Sequence, residues 1–179
     1  YTKEEIRKFD AYCRERHIEL MANVETFGHL GELLRCDEYK HLAITRDGGK
    51  PAFSINPLLD ESFETVKRML DDLLPHFSST AVNIGMDETY GIGEGETEEY
   101  CRAFGTADLY LTFLKKVSGY VRDTHHKRSM IWGDMAAKHP ECIGRIPKDV
   151  IYVDWGYEPG HKFDRNAIAC REAGLDYYV

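Results

Sequence analysis

The 179-residue sequence has no run of about 18 consecutive apolar residues, which excludes a helical membrane span. It also lacks an excess of positive charge. Its 23 Lys and Arg stand against 31 Asp and Glu, a formal charge of −8, which argues against a nucleic-acid backbone as partner. Cysteine is sparse and scattered, at positions 13, 36, 101, 142 and 170, and never forms a C-x-x-C pair. Neither a disulfide framework nor a zinc site is suggested, and the five residues read as reduced thiols of a cytoplasmic protein. No internal repeat, low-complexity tract, initiator Met, signal peptide or targeting segment is visible. The chain opens in a helix signal and stops in a strand, so it reads as a piece of a longer chain.

What is present is a globular composition. Apolar residues make up 42% and aromatics 12%, enough for one sizeable core and too much for a disordered chain. Thr2-Lys3-Glu4-Glu5 is a capping box that opens a helix reaching Arg16, with Ile6, Phe9 and Cys13 on one face. Phe63, Val66, Leu70 and Leu73 mark a second helix closed by Pro75, and Leu109, Phe113, Val117 and Tyr120 a third, from Asp108 to Asp123. A short fourth helix spans Ala167 to Ala173. Strands are expected near 17–24, 80–86, 129–133, 150–155 and 175–179, with loops at the polar Asp47-Gly48-Gly49 stretch and the acidic Gly91–Gly95 segment.

Strands alternating with helices imply βαβ units and a parallel sheet. The fold class is α/β. About five central βα units, with polar or aromatic residues at strand C-termini, fit part of a (β/α)8 TIM barrel, whose whole takes about 250 residues. A doubly wound sheet is the alternative, but the sequence has no G-x-G-x-x-G turn after its first strand.

Chemistry is concentrated at those strand ends. Asp87-Glu88 closes an apolar strand before a glycine loop. An ordinary strand-to-loop junction also carries such a pair, but two acids with different tasks, one a proton donor and one an anion, fit the position. Successive strand residues face opposite ways, so the two do not readily flank one bond as matched acid and nucleophile. His29 follows another strand end, where it serves either structure or the same site. Trp132 and Trp155, the only tryptophans, both stand at strand ends, as core residues or as walls of a sugar pocket; Asp134 and Tyr157 are weaker members of the group. His125-His126, beside Arg122, Lys127 and Arg128, suits a helix C-terminus without any metal.

Four stretches, taken in order, resemble the central catalytic barrel of family 20 glycoside hydrolases, the β-N-acetylhexosaminidases. The likeness is greatest to the family's intracellular, hexosaminidase D-like branch. Tyr1-Thr2-Lys3-Glu4-Glu5-Ile6 resembles the family's helix start, and His17 to Val24 with Phe27-Gly28-His29 its strand ending in Pro-Gly-His. Asn83-Ile84-Gly85-Met86-Asp87-Glu88 is similar to its Gly-Gly-Asp-Glu or Gly-Ala-Asp-Glu signature, and Met130-Ile131-Trp132-Gly133-Asp134 to its Trp-x-Asp/Glu strand.

The resemblance implies removal of terminal N-acetyl-β-D-hexosamine residues (GlcNAc or GalNAc) from a glycan or glycoconjugate, with no cofactor and no metal. Glu88 is then the general acid. Asp87 holds the 2-acetamido group, whose carbonyl oxygen attacks the anomeric carbon to give an oxazolinium ion. His29 supports the acid, and Trp132 and Trp155 line the acetamido pocket. The sequence departs from the family pattern where Phe27 replaces Pro, Glu25 stands where Asp is common, and Met86 replaces a small residue, which would crowd the pocket. An early-strand Arg and late Tyr-Asp and Trp-Glu pairs are missing, so the remaining barrel strands are expected from other parts of the chain. Two alternatives stay open on the residues alone. One is a barrel remnant that binds amino-sugars without cleaving them; the other is a metal-dependent hydrolase using His29, Asp87 and Asp134.

Overall fold

Thr2 opens the first helix as its side chain predicts. Its Oγ1 accepts the Glu5 amide at 3.2 Å, and Glu5 Oε2 accepts the Thr2 amide at 2.7 Å. The computed structural model describes residues 1–46 and 49–179. Its helices are α1 (Lys3–Arg14), α2 (Gly31–Leu34), α3 (Asp60–Leu73), α4 (Glu98–Phe104), α5 (Thr106–His125), α6 (Asp134–Lys138) and α7 (Phe163–Ala173). Its strands are β1 (Ala22–Asn23), β2 (Ala43–Arg46), β3 (Lys50–Ile55), β4 (Ala81–Asn83), β5 (Arg128–Trp132), β6 (Ile151–Val153) and β7 (Asp176–Tyr178).

Among the described residues, β1, β4, β5, β6 and β7 form one sheet in that spatial order, every pair parallel. Sequence order and spatial order coincide. A doubly wound sheet reverses its order at a switch point, whereas a barrel adds each strand beside the last. The alternative is therefore removed, and the sheet with its helices is part of a (β/α)8 barrel.

The strands are shorter than the sequence suggests. The first is only Ala22–Asn23 and begins well after His17, which turns at φ 57. The second ends at Asn83 because Gly85 and Met86, at φ 69 and 75, leave the ladder. One hairpin was not anticipated. β2 and β3 pair antiparallel around the glycine-rich polar stretch, of which Asp47 and Gly48 lie outside the described residues. The helix α4, between the acidic glycine segment and α5, was likewise not anticipated.

The core lies between the sheet and α3 and α5. Phe27 packs edge-on against Phe113, ring centroids 5.1 Å apart, and stacks on Tyr110 at 6.2 Å. Strand parity does the sorting: Ile131 and Tyr152 turn toward the helices, while Met130, Ile151 and Val153 cluster with Trp132 on the opposite face. On α1 only Cys13 of the expected apolar face is buried. Phe9 is 55% exposed and lines an open groove with Ile6, Leu20, Leu73 and Phe77. His125 ends α5 against Asp71 at 2.9 Å, and His126 caps it with φ 54, the helix-end role read from their neighbours. All five cysteines are free thiols. No helix among the described residues is long and apolar enough to cross a membrane.

Candidate active site

The C-terminal ends of β1, β4, β5 and β6 converge on one cavity of about 310 Å³, at the small end of the range for ligand pockets. Its walls are His29, Asp87, Glu88, Trp132, Trp155 and Tyr157. Six of the seven expected site residues thus meet around one space. A larger cleft of about 650 Å³ lies between α6 and α7 and contains neither acid nor either tryptophan.

The backbone is bent to bring them together. His29, Met86 and Glu88 take left-handed φ values of 56, 75 and 45. Each such non-glycine residue costs about 1 kcal/mol or more and persists only where its surroundings enforce it. At Gly28 the two strand-end loops touch backbone to backbone, since a Cβ there would overlap the Asp87 carbonyl oxygen. The hairpin braces the His29 loop from behind: Leu30 donates its amide to Phe53, Ile55 donates to Phe27, and the His29 and Phe53 rings lie 5.5 Å apart.

His29 is held between the acids. Its Nε2 stands 3.2 Å from Asp87 Oδ2 and 3.2 Å from Glu88 Oε2. Burial pushes the Asp87 carboxyl above the usual range, an effect that the nearby imidazole opposes. Trp155 and Tyr157 incline toward each other at 5.7 Å, and Tyr157 is 88% exposed at the rim.

Asp134 is the one expected residue outside the cavity wall. It stands behind Glu88, where its Oδ2 accepts the Glu88 amide at 3.3 Å and Lys138 Nζ at 2.9 Å. Met86 is also placed differently from the expectation. It is fully buried, and its sulfur accepts the Thr26 hydroxyl at 3.3 Å, so it fills the core and leaves the pocket open. The left-handed turn at Met86 is what swings the larger side chain inward.

Two features escaped the sequence reading. Asp154, 4% exposed, accepts the Trp155 amide (2.9 Å), Asn166 Nδ2 (2.8 Å) and the Tyr177 hydroxyl (2.9 Å), and lies 3.1 Å from His161 Nε2. This hub folds the segment carrying Trp155 and Tyr157 back onto α7. Glu25, two residues past β1, lies against Asp87, and burial first and the Asp87 charge second push its carboxyl up to about 7. Its position on a strand end was the available signal. Among the described residues, no group of three or more His, Cys, Asp or Glu is arranged to hold a metal ion.

The sequence model described as "Glycosyl hydrolase family 20, catalytic domain" matches residues 1–175. Hexosaminidase D of Bos taurus is 28% identical over 165 residues, covering 88% of this chain and 47% of the bovine protein. The human Hexosaminidase D is 28% identical over the same share of this chain and 33% of its own length. The chain therefore spans less than half the length of these curated relatives. Among solved structures, the GH20 exo-β-N-acetylglucosaminidase of Vibrio harveyi in complex with N-acetylglucosamine superposes at a TM-score of 0.75, with 24% identity, covering 99% of this chain and 28% of that one. The β-N-acetylhexosaminidase of Bacteroides fragilis gives 0.76 at 18% identity, covering 99% and 35%. With its parallel βα units in barrel order and its paired acids at a strand end, the chain belongs to glycosyl hydrolase family 20, of whose catalytic domain it carries five successive strands.

Proposed function

We propose that the protein containing this chain hydrolyses terminal non-reducing N-acetyl-β-D-hexosamine residues of glycans or glycoconjugates, with retention and with the substrate's own acetamido oxygen as nucleophile. The observation that carries this reading is the single histidine in reach of both acids. Carboxyls that both contact one imidazole nitrogen lie on the same side of the cavity. An enzyme nucleophile in a retaining glycosidase sits about 5–5.5 Å across the scissile bond from the acid.

In this mechanism Glu88, at the cavity wall, gives its proton to the glycosidic oxygen as the bond to the anomeric carbon breaks. The acetamido carbonyl oxygen forms the new bond to that carbon. Asp87 accepts the acetamido N–H, and its charge stabilises the positive oxazolinium-like transition state. Glu88, now ionised, takes a proton from water as the water opens the ring, which restores the acid and the original configuration. His29 orients both carboxyls, and Trp132 and Trp155 supply the flat apolar walls on which a sugar face stacks. The same reading assigns the remaining site residues to the longer protein, whose relatives extend well beyond this chain. It also places the protein in the cytoplasm, where its five thiols stay reduced.

Turnover by the full-length protein tests the proposal. It should release 4-nitrophenol from the β-N-acetylglucosaminide or galactosaminide and leave the plain β-glucoside nearly untouched. Good hydrolysis of the glucoside, or a trapped covalent glycosyl-enzyme, would remove the mechanism.

A further inference from the structure

A third carboxyl lies under the pocket floor. Glu25 Oε2 and Asp87 Oδ1 are both fully enclosed, and no N–H or O–H of the described protein donates to either. The two side chains face each other closely enough that each affects the other's titration. Ionised carboxylate oxygens only accept, so two of them enclosed together repel unless one carries a proton. The arrangement is built in from several sides. Gly85 makes room, since a Cβ there would overlap Glu25 Oε2. Asn23 Nδ2 donates to the other Glu25 oxygen, Oε1, at 3.3 Å, which fixes the direction in which Oε2 points. His29 meets Asp87 through its other oxygen, Oδ2, and so favours the anion on Asp87.

We propose that Glu25 is a positioning residue that carries a proton for Asp87: the neutral carboxyl donates from Oε2 to Asp87 Oδ1, keeps Asp87 the only anion at the acetamido position, and ends productive catalysis when it ionises. This rests on the functional reading given above. The groups facing the pair are His29 and Glu88 from the adjoining loops, Asp134 at the start of α6, and the buried Tyr110 hydroxyl of α5. Burial raises both carboxyls, and at Asp87 a backbone hydrogen bond and then the nearby His29 counter the rise. His29 contacts Asp87 directly, which favours the anion there and leaves the proton to Glu25. Raising the pH through about 7 removes it and leaves two facing charges.

The test compares wild-type full-length protein with Glu25→Gln and Glu25→Ala, using the 4-nitrophenyl N-acetyl-β-glucosaminide for kcat/KM against pH. Gln keeps an oxygen for Asn23 and turns a permanent N–H donor toward Asp87. Glu25→Gln should therefore retain activity at pH 6 and move the alkaline limb up by about one pH unit or more. Glu25→Ala should lose about tenfold or more in kcat, as expected when a buried anion loses a donor. An unchanged alkaline limb in Glu25→Gln, or a folded Glu25→Gln as impaired as Glu25→Ala, would overturn the assignment.

A second readout needs no turnover. In protein labelled with 13C at the Glu carboxyls, the resonance lost in Glu25→Gln should titrate near pH 7; titration in the ordinary range near 4.5 would overturn the proposal. If wild type proves inactive on every N-acetylhexosaminide while this resonance titrates near 7, the functional reading fails and the shared proton stands.

Discussion

Asp134 holds the backbone of Glu88: its Oδ2 accepts the Glu88 amide at 3.3 Å while Lys138 braces the same oxygen from one helical turn away. The left-handed φ of 45 at Glu88 is sustained by this contact. Asp134→Ala frees the amide and releases Lys138. It should lower kcat by about tenfold, the worth of one charge-assisted hydrogen bond, while KM changes little. A rise in KM at constant kcat would instead make Asp134 a direct substrate contact.

Under the proposed mechanism, Glu88→Gln removes the proton donor and keeps the shape. The expected loss is about 10²–10⁴-fold in kcat for ordinary aglycones. With a 2,4-dinitrophenyl aglycone, which leaves without protonation, the loss should be far smaller. Comparing the two leaving groups in one variant separates acid catalysis from a general disturbance of the site.

The half-buried Glu25 carboxyl makes stability depend on pH, and the sign is definite. Its folded value of about 7 lies above the ordinary 4.5, so the native state binds a proton that the unfolded chain releases. Its contribution is fully present below the unfolded value and is lost as pH rises toward about 7. Thermal melts should show the wild type losing ground to Glu25→Gln across that interval and holding a constant gap above it.

The Asp154 hub predicts a binding effect. His161→Ala releases the segment bearing Trp155 and Tyr157 while leaving both acids in place. KM should rise several-fold, with kcat less affected, and the indole fluorescence should shift toward that of solvated tryptophan. His161→Gln retains a donor for Asp154 and should restore much of the loss. Gly156→Ala tests the same latch from the other side, because a Cβ there would overlap the His161 ring.

Much of this site was legible because its chemistry stands at strand ends. Apolar strands that stop at Asp87-Glu88, His29, Trp132 and Trp155 bring those residues to one rim whatever the exact strand lengths. Glu25 was noted as a departure from a family pattern, and its place at a strand end was the other available signal. Its role depends on which oxygen of Asp87 it meets, and that is set by the turn at Gly85. The hairpin was hidden because Pro51 and the Asp47-Gly48-Gly49 stretch read as loop, although apolar alternation flanks them. Met86 was placed in the pocket on side-chain size alone, but its positive φ turns the side chain into the core, a reversal that residue type does not encode. The contact of Asp134 with the Glu88 amide was not legible, since a carboxylate facing an amide or a sugar hydroxyl has the same sequence signature.

The coincidence of strand order with chain order has a consequence for how the molecule is made. As the polypeptide leaves the ribosome, each of these five strands after the first finds a partner already laid down, and none inserts between two earlier ones. The exposed edge that invites a stray chain is covered at each step by the next βα unit. Synthesis therefore delivers His29 first, then the two acids, and only afterwards the tryptophan walls of the cavity.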